Sequence, residues 1–466
     1  MKRIRAGAAL CTLLLIGMAA CGRDLPRSEI PVPSGSAAGQ VEPESTEATG
    51  LSGEKRLARA LAEAMTTREK CAQLLMIAVG IRPEVPEDFG ELMRDVPAGA
   101  VLLLSYNIAE SPEKIMGLNA AFQKTAAVAG KGVPFLIALD HEGGTVYRLG
   151  AAATRIPGAS RVGSFLEKSA NRSSGPVFTE ALHALYAASA KQLALLGFSL
   201  NLAPVLEPLG EENREFLRHR SYGADPYTVS RAGEIFIRAM GEGGVLAAGK
   251  HFPGTGRGDP HEVLTRLNMA IDMEEGTDPD IEGGGEDAFP SGIFPFHRAV
   301  AGGGLAALMV SHVLVPGMDP LLPVSLSGSA LSFIRRRLGF EGIILTDDIN
   351  MKAVSAGRGA QEAAVAALAA GADMIMYLDE RGIRAVHSAL VRAVEEGRLP
   401  RERLEEAVVR VLEQKIRLNL WKRTGELMRA AEDGESLSRR GGEFSLLKKE
   451  GDALLRNMEQ AASRLP

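Results

Sequence analysis

The chain has 466 residues, of which 45% are hydrophobic and 24% are charged, and its formal net charge at pH 7 is -5. This is the composition of a globular protein that buries a large core in one big domain or two modest ones. The acidic balance leaves no basic surface for nucleic acid and no polybasic segment for acidic lipid headgroups, so we expect a substrate of neither class.

The N-terminus is typical of an exported protein. Three basic residues stand within the first five, an uncharged run follows over residues 6–20, and small residues lead into Cys21. The run is short for a membrane span, which needs about 20 apolar residues, and the order is that of a secretory signal peptide. The last four residues, MAAC at 18–21, resemble the lipobox of bacterial lipoproteins. We therefore predict a lipoprotein signal over residues 1–20 and lipidation at Cys21, which would anchor the exported protein to a bacterial membrane. An uncleaved anchor and a plain signal are the alternatives.

Cysteine usage and composition describe the next segment. Three cysteines in so long a chain exclude a disulfide framework. With Cys11 removed and Cys21 acylated, Cys71 is the remaining thiol. Residues 21–53 are rich in Pro, Ser, Gly and Glu, which predicts a flexible tether.

From about residue 54 onward, apolar runs rich in β-branched residues alternate with amphipathic stretches, the pattern of a parallel sheet covered by helices. Eight runs are predicted as strands: Leu74 to Val79, Gly99 to Leu104, Val133 to Leu139, Ser199 to Ala203, Val245 to Gly249, Ala307 to Val310, Gly342 to Leu345 and Asp373 to Tyr377. Eight strands with helices between them predict an α/β fold, a (β/α)8 barrel of the TIM type, over residues 54–421. An acidic, Gly-rich loop over residues 262–293 and a charged helical tail over residues 422–466 receive no assigned role.

Polar residues stand where most of these runs end. They are Asp140 and His141 after the third run, Asn201 within the fourth, Lys250 and His251 after the fifth, Ser311 and His312 after the sixth, and Asp347 and Asp348 after the seventh. In a barrel all strand ends meet at one mouth, which carries the chemistry. A doubly wound open sheet is the alternative, but its polar groups cluster at one switch point.

Two of these segments could break an acetal. The loop KHFPGTGRGDPH at 250–261 places Asp259 two residues before His261, and GIILTDD at 342–348 ends a buried strand in carboxylates. Glycoside cleavage needs a proton donor for the leaving oxygen and a negative group at the anomeric carbon. We predict that His261 is the general acid and base, that Asp259 accepts a hydrogen bond from its ring, and that Asp347 is the nucleophile.

Each pattern also has a plainer interpretation. Asp and Gly in the 254–261 loop are favoured turn residues, and Thr346 or Asp347 could cap a following helix. His251, Asp259 and His261 could bind zinc, although their spacing matches no familiar ligand pattern. We expect no metal and no organic cofactor.

Four motifs resemble glycoside hydrolase family three, and within it the bacterial β-N-acetylhexosaminidase branch. They are KHFPG with a following Asp-x-His, DHEGGTVYRL at 140–149, RSYGADP at 220–226 and LGFEGIILTDDINM at 338–351. The resemblance covers residues 54–421 and implies a (β/α)8 barrel and a retaining mechanism. It also implies removal of terminal N-acetylglucosamine from small glycosides such as muropeptide fragments.

Carried over by motif, the resemblance implies Asp347 as nucleophile and His261 as acid/base assisted by Asp259. The sugar-binding residues that it implies are Asp140, Arg148, Arg220, Lys250 and His251. An internal ion pair is the alternative role for each arginine.

Four departures from the family pattern could change substrate preference or lower activity. The 254–261 loop is about two residues short, His141 replaces the usual Gln, Thr145 replaces an expected Arg, and Glu207 stands where Asp is frequent.

The function expected from the sequence is a monomeric, membrane-anchored exo-β-N-acetylglucosaminidase that acts on cell-wall or chitin-derived sugars. The alternatives are a β-glucosidase or a glycoside phosphorylase of the same family, or a glycan-binding surface lipoprotein without turnover.

Overall fold

The computed structural model describes residues 52–80, 84–170, 174–271, 273, 289–355 and 357–463. The predicted signal segment, Cys21 and most of the predicted tether lie outside these residues. So does residue 272 and the 274–288 part of the acidic loop. Residues 57–466 form one compact unit.

Eight parallel strands close into a barrel in the order β1 to β8, with β1 paired to β8. Their bounds are β1 Leu75–Ala78, β2 Ala100–Leu102, β3 Leu136–Leu139, β4 Leu200–Asn201, β5 Leu246–Phe252, β6 Ala307–Val310, β7 Ile343–Asp348 and β8 Met374–Tyr377. The predicted barrel and all eight predicted strands are confirmed. β5 extends three residues beyond its predicted end, through Lys250 and His251, which we expected in the loop that follows. β7 also extends three residues, to include Asp347 and Asp348, the carboxylates that we expected at the end of this strand.

Helices connect the strands and cover the barrel. In chain order they are α1 Gly53–Glu63, α2 Thr67–Gln73, α3 Phe89–Asp95, α4 Pro112–Val128, α5 Ala159–Ser169, α6 Ser174–Leu196, α7 Arg214–Leu217, α8 Pro226–Glu242, α9 Phe294–Ala301, α10 Gly328–Arg336, α11 Lys352–Ser355, α12 Gly359–Ala370, α13 Ile383–Glu395, α14 Arg401–Arg417, α15 Leu420–Glu432 and α16 Gly434–Ser463. Short 3₁₀ turns lie at Ser105–Asn107, Gly150–Ala152, Val324–Leu326 and Glu380–Gly382.

Local sequence accounts for where several helices begin. Asp225 caps α8 by accepting hydrogen bonds from the amides of Tyr227 and Thr228, and Pro226 occupies the first turn. Thr66 and Glu69 form a reciprocal capping box at α2, and Ser327 caps α10. Such caps satisfy amides that would otherwise lack partners, so they fix the position at which each helix begins.

The strands are buried on both faces, since the barrel interior and the helical layer both exclude water. All residues of β1, β2, β3, β6 and β8 are buried. This explains why the strands read as continuous apolar runs rather than as alternating ones. Partial exposure occurs at the first residue of β5, Leu246, and at the carboxyl end of β7, where Asp347 and Asp348 are half-buried.

The charged tail is ordered as α15 and α16, which pack on α4 and α6. The Thr154 hydroxyl donates to the backbone oxygen of Lys448, and the Gln192 amide donates to that of Leu447. Both contacts join α16 to the layer around β3 and β4. The boundary that we predicted at residue 421 stays a prediction.

Candidate active site

Lys250, at the carboxyl end of β5, lies at the centre of a buried ionic network. Its Nζ is 2.7 Å from Asp140 Oδ1 and 2.7 Å from Glu142 Oε1. Arg220 donates from Nε and Nη2 to the two oxygens of Glu142, at 2.9 and 2.8 Å. Such a two-pronged contact fixes the orientation of both partners. The structure thus brings together the predicted Asp140, Lys250 and Arg220, with Glu142 as their shared partner.

The network is ionised because its members compensate one another. Burial raises the pKa of Glu142, but Lys250 and Arg220 outweigh it and hold that pKa at about 2. Burial lowers the pKa of Lys250, but Asp140 and Glu142 hold it above its usual value. Each charge is therefore stable only while its partners are present.

Asp140 and Arg220 are the members of this network that are partly open to solvent, with side chains 18% and 20% exposed, against 4% for Glu142 and 3% for Lys250. Arg148 lies on the other side of Asp140, with Nη2 3.6 Å from Asp140 Oδ2, and also donates to the Ser105 hydroxyl. A carboxylate held between two cations can accept hydrogen bonds from two sugar hydroxyls.

A second pair of buried groups orients His251. Its Nδ1 lies 2.6 Å from Glu207 Oε1. The other oxygen of Glu207 accepts from the amide and the hydroxyl of Thr255, at 2.8 and 3.0 Å. Since Nδ1 is occupied, Nε2 is the ring nitrogen available to a ligand. Glu207 therefore connects His251 to the first residues of the 254–261 loop.

Asp347 is half-buried at the end of β7, the position that the sequence predicted for a nucleophile. Burial raises its pKa, but the nearby His251 and His312 outweigh this and hold the pKa below its usual value. Its Oδ1 also accepts a hydrogen bond from the Asp348 amide at 2.8 Å. An ionised carboxylate beside the barrel axis suits attack on an anomeric carbon.

The neighbouring Asp348 faces a different environment. Burial raises its pKa to about 6. Its Oδ1 accepts from the amides of Asn350 and Leu378, at 3.1 and 3.2 Å. The Asp348 carboxylate is thus hydrogen-bonded to backbone amides that follow β7 and β8, and this environment differs from that of the adjacent Asp347.

His312, which received no contact at the sequence level, supports this strand end. Its Nε2 lies 3.0 Å from the backbone oxygen of Asp348, and its Nδ1 lies 2.7 Å from the Ser325 hydroxyl. Burial lowers its pKa.

The loop from Gly254 to Leu267 carries His261 at an exposed tip. This loop follows the carboxyl end of β5, and Asp347 lies at the carboxyl end of β7. Because the strands are parallel, both residues lie at the same end of the barrel. The His261 ring also lies 6.0 Å from the ring of Phe216. Acid/base candidate and nucleophile candidate therefore share the mouth.

Asp259 does not contact the His261 ring among the described contacts. Its Oδ1 accepts from the backbone amide of His261 at 2.9 Å, and its backbone oxygen accepts from Glu262 and Val263. This is the local turn geometry that Asp residues favour. The predicted ring contact is thus replaced in this structure by a backbone contact, and the catalytic role of Asp259 stays a prediction.

Glu142 and Glu207 were given no role at the sequence level. Glu142 stands two residues after Asp140, and this spacing could have suggested that both side chains point to the same side of the backbone. The partners of both glutamates stand far away in the chain: Lys250 and Arg220 for Glu142, and His251 and Thr255 for Glu207. In the described residues, no group of three or more His, Cys, Asp or Glu side chains is placed to hold a metal ion.

A (β/α)8 barrel with an ionised aspartate on β7, a histidine on the loop after β5 and paired charges at the carboxyl ends of β3 and β5 has the arrangement of a glycoside hydrolase. Comparison with known proteins gives the particular family. The sequence profile described as "Glycosyl hydrolase family 3 N terminal domain" matches residues 66–414. The chain belongs to glycosyl hydrolase family 3.

Individual relatives agree. A "Beta-hexosaminidase" of Tolumonas auensis is 32% identical over 64% of this chain and 80% of that protein. "Beta-hexosaminidase LpqI" of Mycobacterium tuberculosis is 28% identical over 75% of this chain and 83% of its own length. A family 3 beta-N-acetylglucosaminidase structure from Paenibacillus sp. str. FPU-7 superposes with a TM-score of 0.67 at 31% identity, covering 76% of this chain and 63% of that one.

Proposed function

We propose that the protein is a retaining exo-β-N-acetylglucosaminidase. The observation that carries this proposal is the placement of an ionised Asp347 and an exposed His261 at one barrel mouth, beside the network centred on Lys250. The relatives named as beta-hexosaminidases support the choice of sugar.

Hydrolysis would proceed in two steps. Asp347 attacks the anomeric carbon while His261 delivers a proton to the departing oxygen, and a covalent glycosyl-enzyme forms. His261, now neutral, takes a proton from water as that water attacks the same carbon and releases Asp347. Asp140, Arg148 and His251 hold the hydroxyl and acetamido groups of the sugar, and Lys250 and Arg220 keep the carboxylates in place.

A substrate panel tests the reaction. Aryl β-glycosides of N-acetylglucosamine, glucose and xylose are compared by kcat/KM, with and without inorganic phosphate. The proposal predicts preference for N-acetylglucosaminide and free sugar as product. Preference for glucoside would indicate a β-glucosidase, and sugar 1-phosphate would indicate a phosphorylase. Binding of the sugar without turnover would indicate a glycan-binding lipoprotein.

We propose further that the enzyme is exported, is lipidated at Cys21 and acts as a monomer on cell-wall fragments released during peptidoglycan recycling. The basic start, the uncharged run and MAAC at 18–21 support export and lipidation. Among the described residues, no helix has the length and apolar character needed to cross a membrane.

Labelling with a palmitate analogue in a bacterial host tests the anchor. The wild-type chain should take up label and sediment with membranes, whereas Cys21→Ser should do neither. Equal labelling of both chains would contradict lipidation at Cys21. Light scattering of the protein without its signal should give the mass of one chain.

A further inference from the structure

An ion pair joins two loops at the barrel mouth. Lys352 Nζ lies 2.5 Å from Glu262 Oε2, and both side chains are well exposed, at 67% and 60%. The pair raises the pKa of Lys352. Neither residue belongs to the groups assigned above to sugar binding or to bond cleavage.

The ion pair connects the loop that carries His261 to the helix that follows β7. Glu262 directly follows His261, the acid/base candidate at the tip of the β5 loop. Lys352 is the first residue of α11, which follows β7, the strand that carries Asp347. The contact therefore connects the loop that must deliver a proton to the helix that follows the nucleophile's strand.

The base of the β5 loop is fixed independently of this pair. The Thr265 hydroxyl donates to the Thr255 backbone oxygen at 2.6 Å. The backbone of Thr265 and Leu267 pairs with Leu314, which follows β6. Residues 256–264 project from this base as a tip.

The tip contains two glycines in backbone conformations that other residues rarely adopt. Gly256, which is buried, and Gly258, which is exposed, have φ values of 69° and 105°. His261 and Glu262 are both exposed, so little packing holds them. A contact near the end of such a tip can therefore change the direction in which the His261 ring points.

We propose that Glu262 and Lys352 are positioning residues, whose ion pair holds the loop tip with His261 facing the bond cleaved above Asp347. The inference rests on the proposed function and adds to it a pair of residues that touch neither sugar nor reacting atoms. Because exposed ion pairs are individually weak, the pair biases the loop between positions rather than locking it, and we expect effects of about 2- to 5-fold on rate.

Charge reversal tests the proposal. Glu262→Lys, Lys352→Glu and the double exchange are compared with wild type by kcat/KM on two N-acetylglucosaminides, one with an alkyl leaving group and one with a dinitrophenyl leaving group. Each single change should lower the rate on the alkyl glycoside about 5-fold and leave the dinitrophenyl glycoside nearly unchanged, since only the former needs protonation. The double exchange should restore the alkyl rate to within about 2-fold of wild type.

A matched control comes from an ion pair of similar exposure away from the mouth. Lys124 and Glu432 lie 2.9 Å apart, with side chains 62% and 63% exposed. Lys124→Glu should leave both rates at the wild-type level. Salt of about 1 M, which shortens the screening length to about 3 Å, should bring wild type towards the single variants on the alkyl glycoside.

Hydrogen exchange of residues 256–264 provides a readout that needs no turnover. Exchange should rise in each single variant and return in the double exchange. Failure of the double exchange to restore the alkyl rate and exchange protection would overturn the proposal, and so would equal losses on both substrates. Absence of cleavage by wild type would instead overturn the proposed function, and recovery of exchange protection would still support the positioning contact.

Discussion

The two ends of the barrel both bury charge, but they use it differently. At the amino end, Asp373 is fully buried and binds Arg335, Arg403 and Arg410. At the carboxyl end, Lys250 is almost fully buried and binds Asp140 and Glu142. One end is a closed set of contacts, and the other leaves a carboxylate open to the mouth.

Closure at the amino end is visible in the remaining hydrogen bonds. Arg335 also donates to the backbone oxygens of Phe340 and Gly342, and Arg403 donates to those of Leu368 and Ala372. These contacts tie α10 and α14 to the starts of β7 and β8. Charge that is satisfied within the protein stabilises the fold, whereas charge left accessible at the strand ends can bind substrate. The same residue types thus serve structure at one end and chemistry at the other.

The largest expected effect is at the mouth. Asp347→Ala removes the carboxylate that forms the glycosyl-enzyme and should lower kcat by about 10⁴-fold or more. The melting temperature should stay close to that of wild type. Asp348→Asn is the matched control, since its carboxamide oxygen can still accept from Asn350 and Leu378, and most activity should remain. Retention of most of the rate by Asp347→Ala would refute its role.

His261→Ala should discriminate between substrates. We expect a loss of about 10²- to 10³-fold on alkyl glycosides and a much smaller loss on dinitrophenyl glycosides, which leave without protonation. Asp259→Asn keeps an oxygen for the His261 amide but cannot favour the imidazolium, so it should show the same selectivity in weaker form. Wild-type rates for Asp259→Asn would restrict Asp259 to the loop turn. Equal losses of His261→Ala on both substrates would indicate a structural role.

Asp373→Asn should destabilise the amino end of the barrel without affecting catalysis at the carboxyl end. Three arginines would lose their shared anionic partner, and the free energy of unfolding should fall by about 3–5 kcal/mol. Urea denaturation measures this change, and kcat/KM of the folded fraction should stay within about two-fold of wild type. A fall in kcat/KM without a change in stability would contradict the division between the two ends.

His141 gives the carboxyl end a dependence on pH. Its ring is fully buried against Tyr147, and neither ring nitrogen has a hydrogen-bond partner among the described residues. Burial, together with the charge of Arg148, lowers its pKa from 6.5 to about 3. Between pH 6.5 and 3, His141 binds a proton in the unfolded chain but stays neutral in the folded chain. The stability of the folded state therefore falls as the pH decreases through this range.

His141→Gln should remove this pH dependence. As the pH decreases from 6 to 4, the unfolding free energy of the variant should exceed that of wild type by up to about 1.4 kcal/mol more for each pH unit. Thermal melts of both proteins across this range measure it. A constant difference between the two chains would contradict the assignment.

The smallest expected effect lies at Lys415 on α14. It is fully buried, its Nζ donates to Gln73 Oε1 at 2.8 Å, and burial lowers its pKa to about 7. Below pH 7 both states carry the proton and the burial penalty is complete, whereas between pH 7 and about 10.4 the unfolded chain binds more protons and stability rises with pH. Lys415→Met should raise the melting temperature by a few degrees near neutral pH, with a gain that shrinks towards pH 10. A gain that is independent of pH would contradict the lowered pKa.

The sequence predicts the barrel well because strands buried on both faces leave a strong pattern. Ala307–Val310 is an uninterrupted apolar run with the predicted bounds, and Leu136–Leu139 ends where we predicted but begins three residues later. β4 is harder to bound, since it keeps only Leu200–Asn201 of a five-residue prediction. β5 continues to Phe252 because Lys250 and His251 both have carboxylate partners inside the protein, which their polarity alone does not reveal.

The site is predictable as residue types at strand ends, but its pairings are not. The contact of Arg220 with Glu142 spans 78 positions of the chain, and that of His251 with Glu207 spans 44. No local periodicity reports such distances. The sequence did not determine the orientation of Asp259, because Asp-Pro-His is compatible with a ring contact as well as with the backbone turn that is more frequent for these residues and that the structure has.

The central claim is that Asp347 forms a covalent bond to the sugar, and trapping that bond tests it most directly. Incubation with a fluorinated N-acetylglucosaminyl donor that slows hydrolysis of the intermediate should inactivate the enzyme. Peptide mass spectrometry should then find one sugar on Asp347. An adduct on Asp348 or His261 instead, or turnover of the donor through an inverted product without any adduct, would contradict the account.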